Sequence, residues 1–171
     1  MPASLTVQLR ALLAGARRIA ILAVGSELHG DDRAGLIVAE RLSKLLASLP
    51  MVEIFIGATA PENLTGEIKQ YHPSHVILID AAGLGAAPGA VEIIDFEEIT
   101  GNSGSTHRLP LKVLVDYMRN SIGCRVAVIG IQPKSMEFGA PLSAEVRAAV
   151  GKLVRALTVV AQTFSNPPAQ D

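Results

Sequence analysis

Apolar positions along the chain follow two alternating patterns: short continuous runs, and longer segments with a repeat of three or four residues. The continuous runs predict five β-strands, namely Ile19–Val24, Val52–Ile56, His75–Asp80, Ala90–Ile94 and Arg125–Ile131. The periodic segments predict helices over Ser4–Ala16, Ala34–Leu49, Pro61 to about Gln70, Pro110–Ile122 and Ser143–Ala161. The run His75–Asp80 is apolar up to its final residue, which is typical of a central strand buried on both faces.

Strands that alternate with helices of this length predict an α/β fold. We expect a single three-layer domain with a twisted, mostly parallel central sheet and helices on both faces. The glycine-rich connection before Ala90–Ile94 is too short for a parallel crossover, so this strand is predicted to be antiparallel. The predicted organisation is an N-terminal helical extension (residues 1–18), the α/β domain (19–164) and a flexible tail (165–171).

Composition narrows the classes of function. The 171 residues are 49% hydrophobic and 18% charged with a net charge of −1, which gives no general attraction to nucleic acid or anionic membranes. The absence of Trp argues against a base-stacking surface. The single cysteine, Cys124, excludes an internal disulfide and fits a reducing compartment. With no signal-peptide or membrane-span pattern, the expected location is the cytoplasm.

Candidate chemistry lies in three loops. Asp31 and Asp32 follow the first predicted strand, Asp80 ends the third, and His107 precedes the fourth helix. Because the carboxyl ends of parallel strands and the loops after them meet at one edge of a sheet, Asp32, Asp80 and His107 are expected to converge there. Two carboxylates and an imidazole can hold a divalent metal or perform acid–base chemistry.

The acid pair also has a structural interpretation. Either Asp31 or Asp32 is placed to cap the helix that begins near Ala34, and only one acid is needed for a cap, which leaves Asp32 for the site. The loop Gly25–Gly30 lacks both the Lys-Ser/Thr of a P-loop and the G-x-G-x-x-G pattern, and its acids would repel a phosphate.

Other polar residues carry weaker signals. His29 is close enough in sequence to Asp32 to support it, whereas His72 and His75 enter a strand at the opposite end and are interpreted as structural. Cys124 has no nucleophile motif around it. Gln132, which follows the last strand, either lines the cleft or ends the sheet.

Five motifs in order together resemble the nickel–iron hydrogenase maturation endopeptidases, and most closely the branch that processes the large subunit of the hydrogenase-3 (formate hydrogenlyase) type. They are Gly30-Asp31-Asp32-Arg33-Ala34-Gly35, Ala60-Pro61-Glu62-Asn63, Leu78-Ile79-Asp80-Ala81, Thr106-His107-Arg108-Leu109-Pro110-Leu111 and Gly130-Ile131-Gln132-Pro133. The resemblance covers roughly Ile19 to Leu157.

The resemblance implies a phosphorylase/hydrolase-like α/β fold and an aspartic-type, metal-checked endopeptidase. Members of the family remove a C-terminal extension from the hydrogenase large-subunit precursor after nickel insertion, and two acids and a histidine contact the nickel. These positions fall on Asp32, Asp80 and His107. Nickel is expected to arrive with the substrate, and zinc or cadmium to bind the same residues in vitro.

The chain departs from the family pattern in three places. Gly25-Ser26 stands where family members often have Gly-Asn, Asp32 is followed by Arg33-Ala34-Gly35, and the helix before Ile19 is an addition. Two further functions therefore stay open: a hydrolase of another substrate that holds its own metal, and a non-catalytic module that binds the precursor.

Overall fold

The computed structural model describes residues 3–94 and 108–165. In these ranges the strands are β1 (Ile19–Val24), β2 (Val52–Ala58), β3 (His75–Ala81), β4 (Val91–Ile94) and β5 (Arg125–Ile131). The α-helices are α1 (Leu5–Leu12), α2 (Ala34–Leu45), α3 (Thr65–Tyr71), α4 (Arg108–Tyr117) and α5 (Ala144–Ser165). Short 3-10 turns cover Gly30–Arg33 and Pro61–Leu64, and a π-helical turn, Met118–Ile122, extends α4. Every predicted helix and strand is present, although α1 and α2 each end four residues early.

The strands form one sheet in the order β2-β1-β3-β5-β4. Strands β2, β1, β3 and β5 are parallel to one another. Strand β4 runs antiparallel to β5, with Val91 opposite Ile131. The predicted direction of β4 is confirmed, but its neighbour is β5 rather than β3, which precedes it in the chain. The glycine-rich connection between β3 and β4 therefore skips one position in the sheet, and β5 fills that position.

Helices cover both faces of the sheet, as predicted. Successive side chains of a strand point to opposite faces: Ile77 and Ile79 pack in the cluster formed with α1, α2 and α5, whereas Val76 and Leu78 pack in the cluster formed with α3 and α4. Leu9 of α1 is fully buried in the first cluster. The predicted N-terminal extension is therefore part of the core.

The strand order changes direction between β1 and β3. The chain leaves β1 for β2 on one side and returns to the other side of β1 to form β3. Such a switch point opens a crevice at the carboxyl ends of the two strands, where α/β proteins bind ligands. Ala23 of β1 is level with Ile79 of β3. The segments that follow β1 and β3 therefore leave the sheet side by side.

Candidate active site

Two of the predicted site residues, Asp32 and Asp80, lie at this crevice. Asp80 is the penultimate residue of β3 and is level with Gly130 of β5. Asp32 lies in the 3-10 turn between β1 and α2. Both residues are half-buried, and the negative charge of Asp32 acts on Asp80. The structure thus brings together two carboxyl groups that are 48 positions apart in the sequence.

The pKa of Asp80 is raised from 3.8 to about 7. Burial is the largest cause, because a carboxylate loses hydration there, and repulsion from Asp32 adds to it. A hydrogen bond from the backbone of Ala81 acts in the opposite direction and is outweighed. Asp80 is therefore protonated in a large fraction of molecules near neutral pH, and a cation placed between the two acids would displace that proton.

The alternation of side chains along β3 sets the face on which Asp80 lies. Asp80 is two residues beyond Leu78 and four beyond Val76, so the three side chains point to the same face of the sheet. Val76 and Leu78 pack on the face covered by α3 and α4. Helix α4 begins at Arg108. The third predicted site residue, His107, directly precedes this helix in the sequence and lies outside the described residues.

Two glycines allow the turn that carries Asp32 to fit against the sheet. Gly25 has a φ of 143°, and a Cβ there would collide with the carbonyl oxygen of Asp32. A Cβ on Gly35 would lie 2.6 Å from the carbonyl oxygen of Ile79 and 2.8 Å from that of Val24. The first turn of α2 can therefore approach the ends of β1 and β3 closely only because this position has no side chain.

Asp31 has a role that the sequence interpretation did not assign. Its side chain is fully buried, and Oδ1 accepts a hydrogen bond from the backbone of Ser143 at 2.7 Å. Oδ2 accepts from the backbone of Lys134 and Ser135 at 2.8 and 3.1 Å and from the hydroxyl of Ser143 at 2.9 Å. Burial alone would raise the pKa of Asp31, but these donors outweigh it and hold the pKa below the usual value.

The predicted capping of α2 by an acid is therefore wrong. Helix α2 has no side-chain cap, and Asp31 points away from it, towards the loop between β5 and α5. Asp31 joins that loop to the turn that carries Asp32. Its backbone N–H reinforces the link by donating to the carbonyl oxygen of Ser135 at 2.9 Å.

Arg33 and Ser143 were also missed as parts of this link. The guanidinium of Arg33 donates to the carbonyl oxygens of Gly30 at 3.3 Å and Ala140 at 3.2 Å, so it joins the same turn to the same loop. The hydroxyl of Ser143 donates to Asp31 and accepts from the backbone of Val146 at 3.4 Å, consistent with its predicted place at the start of α5. The position of Arg33 beside the acid pair was the available signal.

The remaining candidates, His29, Gln132 and Cys124, have structural roles rather than catalytic ones. Nδ1 of His29 lies 2.9 Å from the hydroxyl of Ser26, and the ring of His29 packs edge to face against Phe138 in a neighbouring loop. Gln132 accepts a hydrogen bond from the backbone of Leu84 at 2.6 Å, which ties the connection after β3 to the end of β5. Burial raises the pKa of the Cys124 thiol, which argues against a nucleophile.

His72 and His75 lie at the opposite end of β3 from Asp80, as predicted. His72 ends α3 in a left-handed conformation, and His75 is buried as the first residue of the strand. Neither can reach the crevice. Within residues 3–94 and 108–165, no three His, Cys, Asp or Glu side chains are grouped so that they could hold a metal ion.

Comparison with known proteins identifies the family. The family model described as HycI, hydrogenase maturation protease, matches residues 36–159. The chain belongs to this family. The hydrogenase 3 maturation protease of Escherichia coli K12 is 34% identical over 133 residues, which cover 76% of this chain and 82% of that protein. The hydrogenase 2 maturation protease of the same organism is 30% identical over 139 residues, or 78% and 84% of the two chains.

A solved maturation protease has the same fold. The crystal structure of the NiFe hydrogenase maturation protease HycI from Thermococcus kodakarensis KOD1 superimposes with a TM-score of 0.85 at 30% identity, covering 91% of this chain and 99% of that one. The predicted family and α/β fold class are thus confirmed, and the protein is a protease. None of the helices in the described part of the chain has the length and apolarity needed to cross a membrane.

Proposed function

We propose that this maturation protease removes a C-terminal extension from the large-subunit precursor of a nickel–iron hydrogenase after nickel has been inserted. Asp32, Asp80 and His107 contact the nickel, which belongs to the substrate. The observation that carries the proposal is the close pair Asp32 and Asp80 at the switch point of the sheet. The names of the relatives, hydrogenase 3 and hydrogenase 2 maturation proteases, support the choice of substrate.

The electrostatics of the pair provide a physical reason for a metal check. Two neighbouring carboxylates repel each other, and this repulsion adds to burial, the larger cause, in raising the pKa of Asp80. A precursor that carries a divalent cation relieves the repulsion and displaces the proton of Asp80. A precursor without nickel leaves the repulsion in place, so it binds more weakly and its scissile segment is not held at the site.

Cleavage requires water to add to the scissile carbonyl, the C–N bond to break and the departing amine to gain a proton. Either the nickel polarises the carbonyl, or a carboxylate draws the proton from the attacking water. In the nickel-loaded complex the cation would displace the proton of Asp80 and lower its pKa from the value of about 7 that burial and Asp32 impose, so Asp80 would be present as the carboxylate that can accept a proton from the attacking water. In this role Asp80 would supply the proton that the leaving amine takes.

The experiment is to incubate the protein with the large-subunit precursor from the same organism, with and without nickel, and to weigh the precursor by mass spectrometry. We expect loss of a C-terminal peptide only from the nickel-loaded sample. The variants Asp32→Asn, Asp80→Asn and His107→Ala should abolish this loss. A matched control is Asp116→Asn, because Asp116 is an exposed acid on α4 that pairs with Lys112 at 2.7 Å.

Three results would contradict the proposal. Equal cleavage with and without nickel would exclude the metal check, and wild-type rates in the three site variants would exclude the assigned residues. A stoichiometric metal ion that stays with the purified protease would instead favour a hydrolase with its own metal.

A further inference from the structure

Two loops beside the candidate site are joined into one surface. The first loop, residues 26–29, lies between β1 and the turn that carries Asp32, and the second loop, residues 134–142, lies between β5 and α5. The backbone N–H of Gly139 donates to the carbonyl oxygen of Leu28 at 2.8 Å. The rings of His29 and Phe138 meet edge to face, with centroids 5.6 Å apart.

Three large apolar side chains of these loops are exposed to solvent. The exposed fractions are 59% for Leu28, 45% for Met136 and 75% for Phe138. We call these three residues the loop patch. Exposed apolar side chains are common when scattered singly, but a group of them on adjoining segments marks an interaction surface.

The backbone beneath the loop patch is held firmly in place. Asp31 fixes the second loop at Lys134 and Ser135, and at Ser143, the residue that follows it, through the four hydrogen bonds described above. The exposed side chains therefore stand on anchored backbone. A surface that is ordered before binding loses less conformational entropy when a partner covers it.

We propose that the loop patch binds an apolar segment of the hydrogenase large-subunit precursor close to the scissile bond. The inference rests on the proposed function and adds to it the surface that recognises the substrate. The argument for this occupant is continuity: Leu28 is four residues before Asp32, and the residue next to Asp32 anchors the loop that carries Met136 and Phe138. A precursor whose metal reaches Asp32 and Asp80 must lie beside these loops.

The test compares a double substitution in the loop patch with the substitution of an exposed leucine elsewhere on the surface. Leu28→Ser combined with Phe138→Ser removes most of the loop patch, and Leu45→Ser removes a leucine of similar exposure, 53%, at the far end of α2. For each protein we would measure binding of the nickel-loaded large-subunit precursor by biolayer interferometry, and KM and kcat for its cleavage. Thermal melting checks that each variant is folded.

We expect the double variant to weaken binding and raise KM about tenfold or more while kcat changes by less than about twofold, and Leu45→Ser to behave like the wild type. An unchanged KM and affinity in the folded double variant would show that the loop patch does not bind the precursor, and would leave the proposed function unaffected. A wild-type protein that neither binds nor cuts the precursor would overturn both. Binding without cleavage in the wild type, lost in the double variant, would support the loop patch and contradict the cleavage step of the proposed function.

Discussion

Replacing Asp80 by Asn should make the protein more stable at alkaline pH. The rise of the pKa from 3.8 to about 7 corresponds to about 4 kcal/mol if each pH unit contributes about 1.4 kcal/mol. Asp80 is only half-buried, so solvent screening reduces this figure, and we expect a gain of about 1–3 kcal/mol in the free energy of unfolding at pH 8. Asn keeps the shape of the protonated acid and removes the charge that burial and Asp32 disfavour.

The sign of the pH dependence follows from proton linkage. Between the unfolded pKa of 3.8 and the folded pKa of about 7, the folded state binds the proton and the unfolded state does not. The contribution of Asp80 to stability therefore falls as the pH rises through this window, and the full penalty is present above it. The gain from Asp80→Asn should be smaller at pH 5 than at pH 8.

Urea unfolding followed by circular dichroism at both pH values measures this difference directly. The control is Asp116→Asn, which removes a half-exposed carboxylate from the last turn of α4 and should leave the pH dependence unchanged. A variant that is less stable than the wild type at pH 8, or a gain of equal size at both pH values, would refute the electrostatic argument.

Two further substitutions test the supports of the site. Asp31→Asn should lower the free energy of unfolding, measured in urea, by about 3 kcal/mol or more, because the amide group of Asn would face at least one buried N–H donor. A loss below about 0.5 kcal/mol would contradict the anchoring role of Asp31. Gly35→Ala should lower the melting temperature by about 5 °C or more, because its Cβ would lie 2.6 Å from the carbonyl oxygen of Ile79. Gly66→Ala is the control: it has open space around it within α3 and should be neutral or slightly stabilising, and equal effects at both glycines would rule out the close approach.

The approach of Asp32 to Asp80 could be predicted because it depends on a general property of parallel sheets. Each residue follows or ends an apolar strand, and carboxyl ends of such strands share an edge. The prediction did not require the order of the strands. The order found here adds that β1 and β3 are neighbours, which is why the two acids interact rather than merely face the same side.

The role of Asp31 could not be predicted from its neighbours in the sequence. A helix cap is a local interaction, so an acid just before a helix favours that interpretation. The actual partners, Lys134, Ser135 and Ser143, are more than a hundred positions away and become adjacent only after β5 takes its place in the sheet. The prediction for β4 was incomplete for a similar reason. The short connection indicated the direction of β4, but it carried no information that β5 would lie between β4 and β3.

The loop that Asp31 anchors is held almost entirely through main-chain atoms. Its backbone groups at Lys134, Ser135, Gly139 and Ala140 make the contacts with the first loop and the turn before α2. Side chains at positions 136–138 can therefore change in evolution without moving Asp32. If the loop patch recognises the precursor as proposed, substitutions at residues 136–138 would change which precursor is bound while Asp32 and Asp80 keep their positions.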